Sequence, residues 1–414
     1  MVNNILILGN GFDLAMGRKT SYEDFLRFLN SLSYLKNYDL AMGCKTSYED
    51  FLRFLNSLSY SKNIDTDIIV GLIQESNLEL KDYCSKISKN LFLKYIKYIK
   101  HINENKSELG KKWSSIELVI SDIAEAIALF KERGTLDIDF KGESNFTALK
   151  YLKNNIEEIV PGYSEHQANI GFQKAMDVCN EKFIQSLEEL TDYLEFYLTY
   201  LDKLDFEKQK IEKKESNLDV IEELKNAKVL TFNYTDTANR LFDIPEENTH
   251  FIHGRIDFAR DKKSINTMVF GIEDKEDKED KEDKEDKTEN INPDLISYQK
   301  FYQRIIKETG SDYRKFFEKP KNSGEAVDDM NIIVFGHSVD PLDKEIFKKC
   351  FKLAEERGGK YKFIFNYYDE KAKREIVKNL TIILGKERMI SLTAEQKVAF
   401  VKCDDVQRMK RELL

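Results

Sequence analysis

The chain has 414 residues, carries a formal net charge of −9, and 34% of its residues are charged. This acidic balance argues against non-specific binding to nucleic acid, and no apolar stretch reaches the roughly 20 residues of a membrane span. Five cysteines are scattered without C-x-x-C spacing. We therefore expect free thiols in a cytoplasmic protein, with neither a disulfide framework nor a metal site.

The chain begins with an apolar run that leads directly into a turn with two glycines, in the sequence NNILILGNGFDLA (residues 3–15). We predict a strand over 4–8 that is buried on both faces, as in a parallel sheet. A glycine turn at this place lets the backbone approach a phosphate, and the helix after it offers free N–H groups to the anion. Leu14 occupies the position of the third glycine in G-x-G-x-x-G, so a tight turn capped by Asp13 stays an open alternative.

A long repeat follows the glycine turn. The segment DLAMGRKTSYEDFLRFLNSLSY from Asp13 returns as DLAMGCKTSYEDFLRFLNSLSY from Asp39. The glycine turn is not repeated, so we interpret the pair as a duplication whose second copy adds an extra helix pair. A solenoid would need about three or more units. Thr-Ser-Tyr-Glu-Asp is a capping signal in both copies, and it predicts one helix that begins at Thr20 or Ser21 and another that begins at Thr46 or Ser47.

Short apolar strands reappear after a long helical tract. Residues 116–130 and 183–204 show apolar side chains at helical spacing within this tract. The predicted strands of the second half are 228–234, 249–254, 267–271, 331–336 and 362–367. Strands that alternate with helices predict βαβ units and a parallel sheet. We therefore expect an α/β fold in which a Rossmann-like parallel sheet contains a large helical insertion.

The predicted domain organisation has three regions. Residues 1–76 form the first part of the Rossmann-like domain with the duplicated helical segment, 77–226 form the helical insertion, and 227–414 complete the Rossmann-like domain. The last region contains the charged loop 273–290, in which Glu, Asp and Lys recur without apolar residues over most of its length. We expect this loop to be solvated and to carry no chemistry.

Polar residues follow four of the predicted strands. In a doubly wound sheet the carboxyl ends of parallel strands lie at one edge, where ligands bind. The four segments are Gly9-Asn10-Gly11, Thr231-Phe232-Asn233-Tyr234-Thr235, His253-Gly254 and Gly336-His337-Ser338. Small and polar residues in these places favour a nucleotide cleft, and Asp340 and Pro341 predict the start of the next helix. A structural explanation also stays open, since Asn233 can cap a turn and His253 can be a buried core histidine.

These motifs resemble those of the AbiH family of bacteriophage abortive infection proteins. The resemblance rests on ILGNGFDLAMG with TSYEDF, and on TFNYTDT, IHG and VFGHSVDPLD, within residues 1–30 and 227–350. More remotely, the same motifs are similar to the sirtuin-like NAD-binding fold. Two departures are visible. The family's G-L-P-T-S reads Gly-Arg-Lys-Thr-Ser here, and Thr235 stands where sirtuin-like enzymes carry Asp after Asn-Tyr.

The resemblance implies a reaction and a role for each of these residues. Asn233 would position the attacking water or the nicotinamide ribose, and His253 would act as general base. The residues that would hold the dinucleotide are Gly9, Asn10, Gly11, Phe12, Asp13, Thr235, Gly336, His337 and Ser338. The implied reaction is hydrolysis of the nicotinamide–ribose bond of NAD, as part of phage defence and without a metal ion.

Two other functions stay open on the sequence alone. In the first alternative, the cleft binds a nucleotide without cleaving it and acts as a sensor that stops growth through a partner. In the second, the scaffold belongs to a nuclease, against which the acidic charge and the lack of clustered carboxylates argue. The expected partners are a small-molecule nucleotide, a phage or host protein as trigger, and a second copy of the chain. We expect neither a membrane nor nucleic acid as a partner.

Overall fold

The computed structural model describes residues 2–41, 65–75, 80–102, 114–138, 143, 145–163, 170–261, 264–272, 292–319 and 327–414. The predicted helix start at Thr46 or Ser47 and the whole charged loop 273–290 lie outside these residues. None of the described helices combines the length and the hydropathy that a membrane-spanning helix requires.

The chain divides into two compact units. We call Met1–Thr20, Gln209–Ile256 and Lys307–Leu414 the sheet unit, and Ser21–Lys208 with Asp257–Ile306 the helical unit. The bounds of these units differ from the three predicted regions, because the chain enters the helical unit already at residue 21 and returns to it at residue 257.

The sheet unit is built on one sheet in which all strands run parallel. Within the described residues its six strands are β1 (Val2–Leu8), β2 (Lys228–Thr231), β3 (Thr249–Phe251), β4 (Asp329–Phe335), β5 (Tyr361–Tyr367) and β6 (Val398–Lys402). Their order across the sheet is β3-β2-β1-β4-β5-β6. The chain therefore starts in the centre, builds one half of the sheet, and then crosses β1 to build the other half. This confirms the predicted α/β fold with a Rossmann-like parallel sheet.

Apolar side chains on both faces explain why these segments form a parallel sheet. Successive residues of a strand point to opposite faces. In β1, Ile5 and Ile7 belong to one core cluster, whereas Leu6 and Leu8 belong to the other. The first cluster is covered by the helix Lys344–Arg357 among others. A strand buried in this way shows the continuous apolar run that the sequence has at 5–8.

Helices and short turns connect the strands of the sheet unit. The helices are Asn10–Ala15, Thr237–Phe242, Lys344–Arg357, Glu370–Leu384, Lys386–Ala394 and Val406–Glu412. Short 3-10 turns lie at Asn217–Val220, Leu224–Asn226, Glu246–Asn248, Asp312–Phe317 and Pro341–Asp343. The helix start predicted at Pro341 is therefore a 3-10 turn that leads into the helix Lys344–Arg357.

The described part of the helical unit is mainly helical. Its helices are Tyr22–Ala41, Thr66–Glu75, Leu80–Lys89, Leu91–Ile102, Ser114–Arg133, Phe146–Ile159, Phe172–Asp202, the π-helical turn Lys203–Lys208, Pro293–Ile296 and Lys300–Ile306. The Asp24 N–H donates to Ser21 Oγ at 3.1 Å, which confirms the predicted helix start. This helix continues through the junction of the two copies and includes Asp39, whereas the counterpart Asp13 lies in the separate short helix Asn10–Ala15 that contains Gly11.

Two details of the strand prediction are wrong. The segment 267–271 is not a strand, because Phe270 makes its backbone hydrogen bonds with a side chain. Its N–H donates to Gln303 Oε1 at 2.9 Å, and Gln303 Nε2 donates to its carbonyl oxygen at 2.9 Å. Conversely, β6 was not among the predicted strands. It is a five-residue segment that pairs with β5 alone.

Candidate functional site

Four polar strand ends meet at one edge of the sheet. β3, β2, β1 and β4 are neighbours in this order and run parallel, so their carboxyl ends lie side by side. The direction in which strands are added reverses between β1 and β4. This is the topological switch point at which doubly wound sheets bind their ligands. The common edge that the sequence predicts is therefore present.

The turns after β1 and β4 are hydrogen-bonded to each other. The Gly9 N–H donates to the Phe335 carbonyl oxygen at 3.1 Å, and the Gly11 N–H donates to the Gly336 carbonyl oxygen at 2.8 Å. The Phe12 N–H donates back to the Gly9 carbonyl oxygen at 2.9 Å. The sequence predicts that these three N–H groups bind a phosphate. In the structure each of them already donates a hydrogen bond to a carbonyl oxygen of the protein.

The close approach of these two turns explains their glycines. A Cβ on Gly9 would lie 2.7 Å from the Gly336 carbonyl oxygen, and one on Gly11 would lie 2.8 Å from the Gly336 Cα. Gly336 has a φ of +70°, and its Cβ would collide with the backbone nitrogen of Phe12. Only glycine fits these three positions, since any side chain would push the two turns apart. The glycines are therefore required by the packing of two backbones, whether or not a ligand binds.

A buried polar network joins the β1 turn to the segment after β2. Asp13 accepts hydrogen bonds from Asn233 Nδ2 at 3.0 Å and from Thr235 Oγ1 at 2.5 Å. Asn233 Nδ2 also donates to the Gly9 carbonyl oxygen at 3.1 Å. Both amide hydrogens of Asn233 are used in this way, which leaves its Oδ1 outside these two contacts. The network brings the predicted catalytic amide into direct contact with the glycine turn.

Burial and charge act on Asp13 in opposite directions. The side chain is 1% exposed, and burial raises the pKa of the carboxyl group above its ordinary value, although the Arg18 guanidinium and the hydrogen bonds from Thr235, Thr237 and Asn233 act to lower it. Arg18 Nη1 lies 3.9 Å from Asp13 Oδ2 and donates to Thr237 Oγ1 at 2.7 Å. Arg18 is itself 2% exposed, so the two charges compensate each other away from water.

The second polar group of the site consists of two histidines around one carboxylate. His253 Nε2 lies 3.3 Å from Asp343 Oδ1, and His337 Nε2 lies 3.5 Å from Asp343 Oδ2. The Phe232 ring contacts both imidazoles edge-on, with centroid distances of 5.5 Å to His253 and 4.2 Å to His337. All three polar side chains are buried. A histidine held against a carboxylate is an arrangement that suits a general base.

The predicted site residues differ in how far a ligand can reach them. Ser338 is exposed, and Asn10, Gly11 and Gly336 are partly exposed. Phe12 is 1% exposed and packs among aromatic rings of the core. The partly exposed turns are therefore the part of this edge that faces solvent. Across the described ranges, no three His, Cys, Asp or Glu side chains are arranged to hold a metal ion.

Sequence reasoning missed Asp343 and Arg18. Asp343 lies at the end of the 3-10 turn that follows Val339, in a segment that the sequence predicts only as a helix start. Arg18 stands at the one position where the two copies of the repeat differ, since the second copy has Cys44 there. This difference is the sequence signal that could have singled out Arg18. A buried carboxylate that loses its cation is strongly destabilised, so the copy without the arginine cannot form the same buried ion pair.

Comparison with known proteins identifies the family. A family model described as bacteriophage abortive infection AbiH matches residues 37–367, which is most of the chain. This chain belongs to the AbiH family. A search of curated proteins and a search of solved structures each found no match.

The AbiH match covers a different range from the predicted resemblance. It begins at residue 37, just before the second copy of the repeat, and it runs through the helical middle, where we found no motif. The glycine turn 9–11 and the whole first copy of the repeat lie before it. The match confirms the family and its phage-defence role. The more remote similarity of this AbiH protein to the sirtuin-like fold stays a prediction.

Proposed function

We propose that this AbiH protein hydrolyses the nicotinamide–ribose bond of NAD at the edge formed by β3, β2, β1 and β4. The observation that carries the proposal is the contact of His253 with Asp343 beside the interlocked turns at the switch point of the sheet. Family membership supplies the setting, which is abortive infection by a bacteriophage. Loss of NAD in an infected cell would stop growth before the phage completes its cycle.

The proposed reaction needs a positioned water and a base. The water oxygen bonds to the anomeric carbon of the nicotinamide ribose, while the carbon–nitrogen bond breaks and its electron pair goes to the pyridinium ring. Nicotinamide leaves as a neutral molecule, so no strong acid has to protonate it. One proton of the water passes to His253, and ADP-ribose is the second product. A positioned general base of this kind contributes about 10²–10⁴-fold to the rate.

We assign the positioning of the water to Asn233. Its amide nitrogen is held by the Gly9 carbonyl oxygen and by Asp13, so the side chain is fixed in one orientation. Its Oδ1 is the atom that would accept a hydrogen bond from the water. Asn10 and Ser338, which solvent reaches, are suited to hold polar groups of the dinucleotide.

A second candidate function is a nucleotide sensor that binds without cleavage and stops growth through a phage or host partner. The N–H groups of Gly9, Gly11 and Phe12 donate to carbonyl oxygens of the protein, so the turn is complete without a ligand. A nucleotide would then bind on a surface that is already formed. These three N–H groups are therefore not free to donate to a phosphate, and a nucleotide would be held by other groups of this edge, such as the partly exposed Asn10 and the exposed Ser338.

The test is release of nicotinamide from NAD by the purified full-length protein, followed by chromatography. We expect release by the wild type, and a loss of about 10²–10⁴-fold in His253→Gln. His250→Gln is the matched control, because His250 is also a buried histidine of the sheet unit but contacts the Tyr313 ring. NAD binding without release of nicotinamide, in the purified protein and in infected cells, would refute hydrolysis and favour the sensor.

The same variants separate the candidates inside infected cells, where the trigger is present. We expect NAD to fall after infection of cells with the wild type or His250→Gln, and to stay constant with His253→Gln. If growth arrest persists in His253→Gln at constant NAD, the protein acts through a partner.

A further inference from the structure

The turn after β4 contains a strained residue next to the two histidines. Val339 is fully buried and has a φ of +54°, in the left-handed region that β-branched residues rarely adopt. In this conformation its backbone N–H donates to His337 Nδ1 at 2.8 Å. Strain of this kind persists only where the surrounding contacts fix it, and it concentrates at functional sites. The strained turn therefore has an identifiable effect, which is to present a hydrogen-bond donor to one imidazole.

This hydrogen bond determines which nitrogen of His337 carries the hydrogen. Nδ1 accepts from Val339, so the neutral ring has its hydrogen on Nε2. Nε2 lies 3.5 Å from Asp343 Oδ2, and the ring thus turns an N–H towards the carboxylate.

Asp343 acts on His253 through its other oxygen. Oδ1 lies 3.3 Å from His253 Nε2, at a place that is buried from water. A lone pair on Nε2 would be repelled by the carboxylate at this distance, so the neutral ring has its hydrogen on Nε2 and its lone pair on Nδ1. The Phe232 ring packs against both imidazoles and stacks on Phe347 with a centroid distance of 5.7 Å, which restricts their reorientation.

We propose that Val339, His337 and Asp343 form a positioning chain that holds His253 with Nδ1 as its proton acceptor. The chain runs from the Val339 N–H to His337 Nδ1, from His337 Nε2 to Asp343, and from Asp343 to His253 Nε2. The identity of the proton donor, a water, rests on the proposed function. His337 and Asp343 do not touch the reacting atoms, and they act through His253.

The test is Asp343→Asn in the full-length protein. Asparagine has the shape of aspartate but offers one acceptor oxygen and one donor group. His337 keeps its hydrogen on Nε2 because Val339 still donates to Nδ1, so the asparagine oxygen faces His337 and its NH₂ group faces His253. His253 then has to accept at Nε2 and to carry its hydrogen on Nδ1. The variant therefore switches the tautomer of one histidine and leaves the other unchanged.

Long-range proton–nitrogen NMR correlation spectra of histidine-labelled protein report the tautomer of each ring at a pH where the rings are neutral. The chain has five histidines, and single His→Gln variants assign their signals. Asp340→Asn is the control, because it removes a neighbouring charge in the same turn. We expect Nε2–H on His253 and His337 in the wild type and in Asp340→Asn, and Nδ1–H on His253 alone in Asp343→Asn.

The proposal is overturned if His253 carries its hydrogen on Nδ1 in the wild type, or if Asp343→Asn leaves its tautomer unchanged. These spectra are recorded without NAD, so they stand apart from the reaction. If the tautomers are as expected but no nicotinamide is released even in infected cells, the proposed function fails and the positioning chain stands. If the wild type releases nicotinamide, Asp343→Asn should lower the rate about 10²-fold, the lower end of the loss expected for His253→Gln. Equal rates in Asp343→Asn and the wild type would overturn the role of the chain.

Discussion

Replacing Gly336 by alanine tests how the edge of the sheet is built. Its φ is +70°, and a Cβ would collide with the backbone nitrogen of Phe12 and lie 2.5 Å from the carbonyl carbon of Gly11. Gly310→Ala is a matched control in the same sheet unit. Gly310 has a φ of +74°, and no described atom lies within 4 Å of the position of its Cβ. Both variants place an alanine in a left-handed backbone conformation. Only in Gly336→Ala does the new Cβ collide with neighbouring backbone atoms.

The two costs can be estimated separately. A left-handed conformation costs an alanine roughly 1–2 kcal/mol, and this cost is common to both variants. Overpacking adds about 1–3 kcal/mol in Gly336→Ala alone, because the atoms that would have to move belong to backbone. We therefore expect Gly336→Ala to lower the free energy of unfolding of the sheet unit by about 1–3 kcal/mol more than Gly310→Ala does.

Two buried thiols allow the two units to be followed separately. Cys350 is a free cysteine in the sheet unit, and Cys179 is one in the helical unit. Burial raises the pKa of each thiol to about 12, so each reacts with a thiol reagent only after its unit has unfolded. Labelling in increasing urea, read by peptide mass spectrometry, gives one midpoint for each unit. For an m-value of about 2 kcal/mol/M, the extra shift at Cys350 is about 0.5–1.5 M.

Equal midpoints at Cys350 in the two variants would refute the argument that the two turns are in backbone contact. A shift that appears at Cys179 and not at Cys350 would contradict it as well. If Gly336→Ala does not fold while Gly310→Ala does, the order of stability is the expected one.

Two further predictions concern the duplication and the effect of pH. Deleting residues 35–60 or residues 13–38 leaves one copy of the repeat. The two shortened chains differ only in having Arg18 with Asp13 in the first case and Cys44 with the equivalent Asp39 in the second. We expect the chain with the cysteine to be less stable at Cys350 by about 3 kcal/mol, because it leaves a buried carboxylate without its cation, and equal stability would contradict this. Burial lowers the pKa of His250 below its ordinary value of 6.5, so the unfolded state binds more protons than the folded one as the pH falls below 6.5. The free energy of unfolding is therefore unaffected by the titration of His250 above pH 6.5. It falls as the pH drops from 6.5 towards the lowered pKa of His250 in the folded state. The Cys350 midpoint should therefore fall less in His250→Gln than in the wild type over this range, and parallel pH profiles would exclude the explanation.

Local patterns in the sequence predicted most of the sheet. The continuous apolar runs at β1, β4 and β5 are the signature of strands buried on both faces, and each was predicted within two residues of its bounds. The segment 267–271 has the same composition and is not a strand. The backbone N–H and carbonyl oxygen of its Phe270 are hydrogen-bonded to the side chain of Gln303, which is 33 residues away in the sequence. A short apolar run is buried in either case, so composition alone does not distinguish the two.

The candidate site also has one part that the sequence predicts and another that depends on the tertiary structure. That polar residues follow four parallel strands is a property of the sequence, and from it we predict that Asn233 and His253 lie at the carboxyl edge that these strands share. The strand order that makes these ends neighbours depends on crossovers, which no local pattern encodes. The proposed role of Asp343 depends on the reversal of the backbone at Val339. A β-branched residue such as valine rarely adopts a positive φ, so the sequence does not predict this reversal.

The sequence by itself determined the fold class, the family resemblance and the set of polar strand ends, because each is a matter of residue type and spacing along the chain. The tertiary structure alone decided that Gly9, Gly11 and Gly336 are required by contact between two backbones, and that two histidines lie within 3.5 Å of Asp343. These are properties of groups distant in sequence, and their energies depend on distance and on burial from water, both of which exist only once the chain has folded.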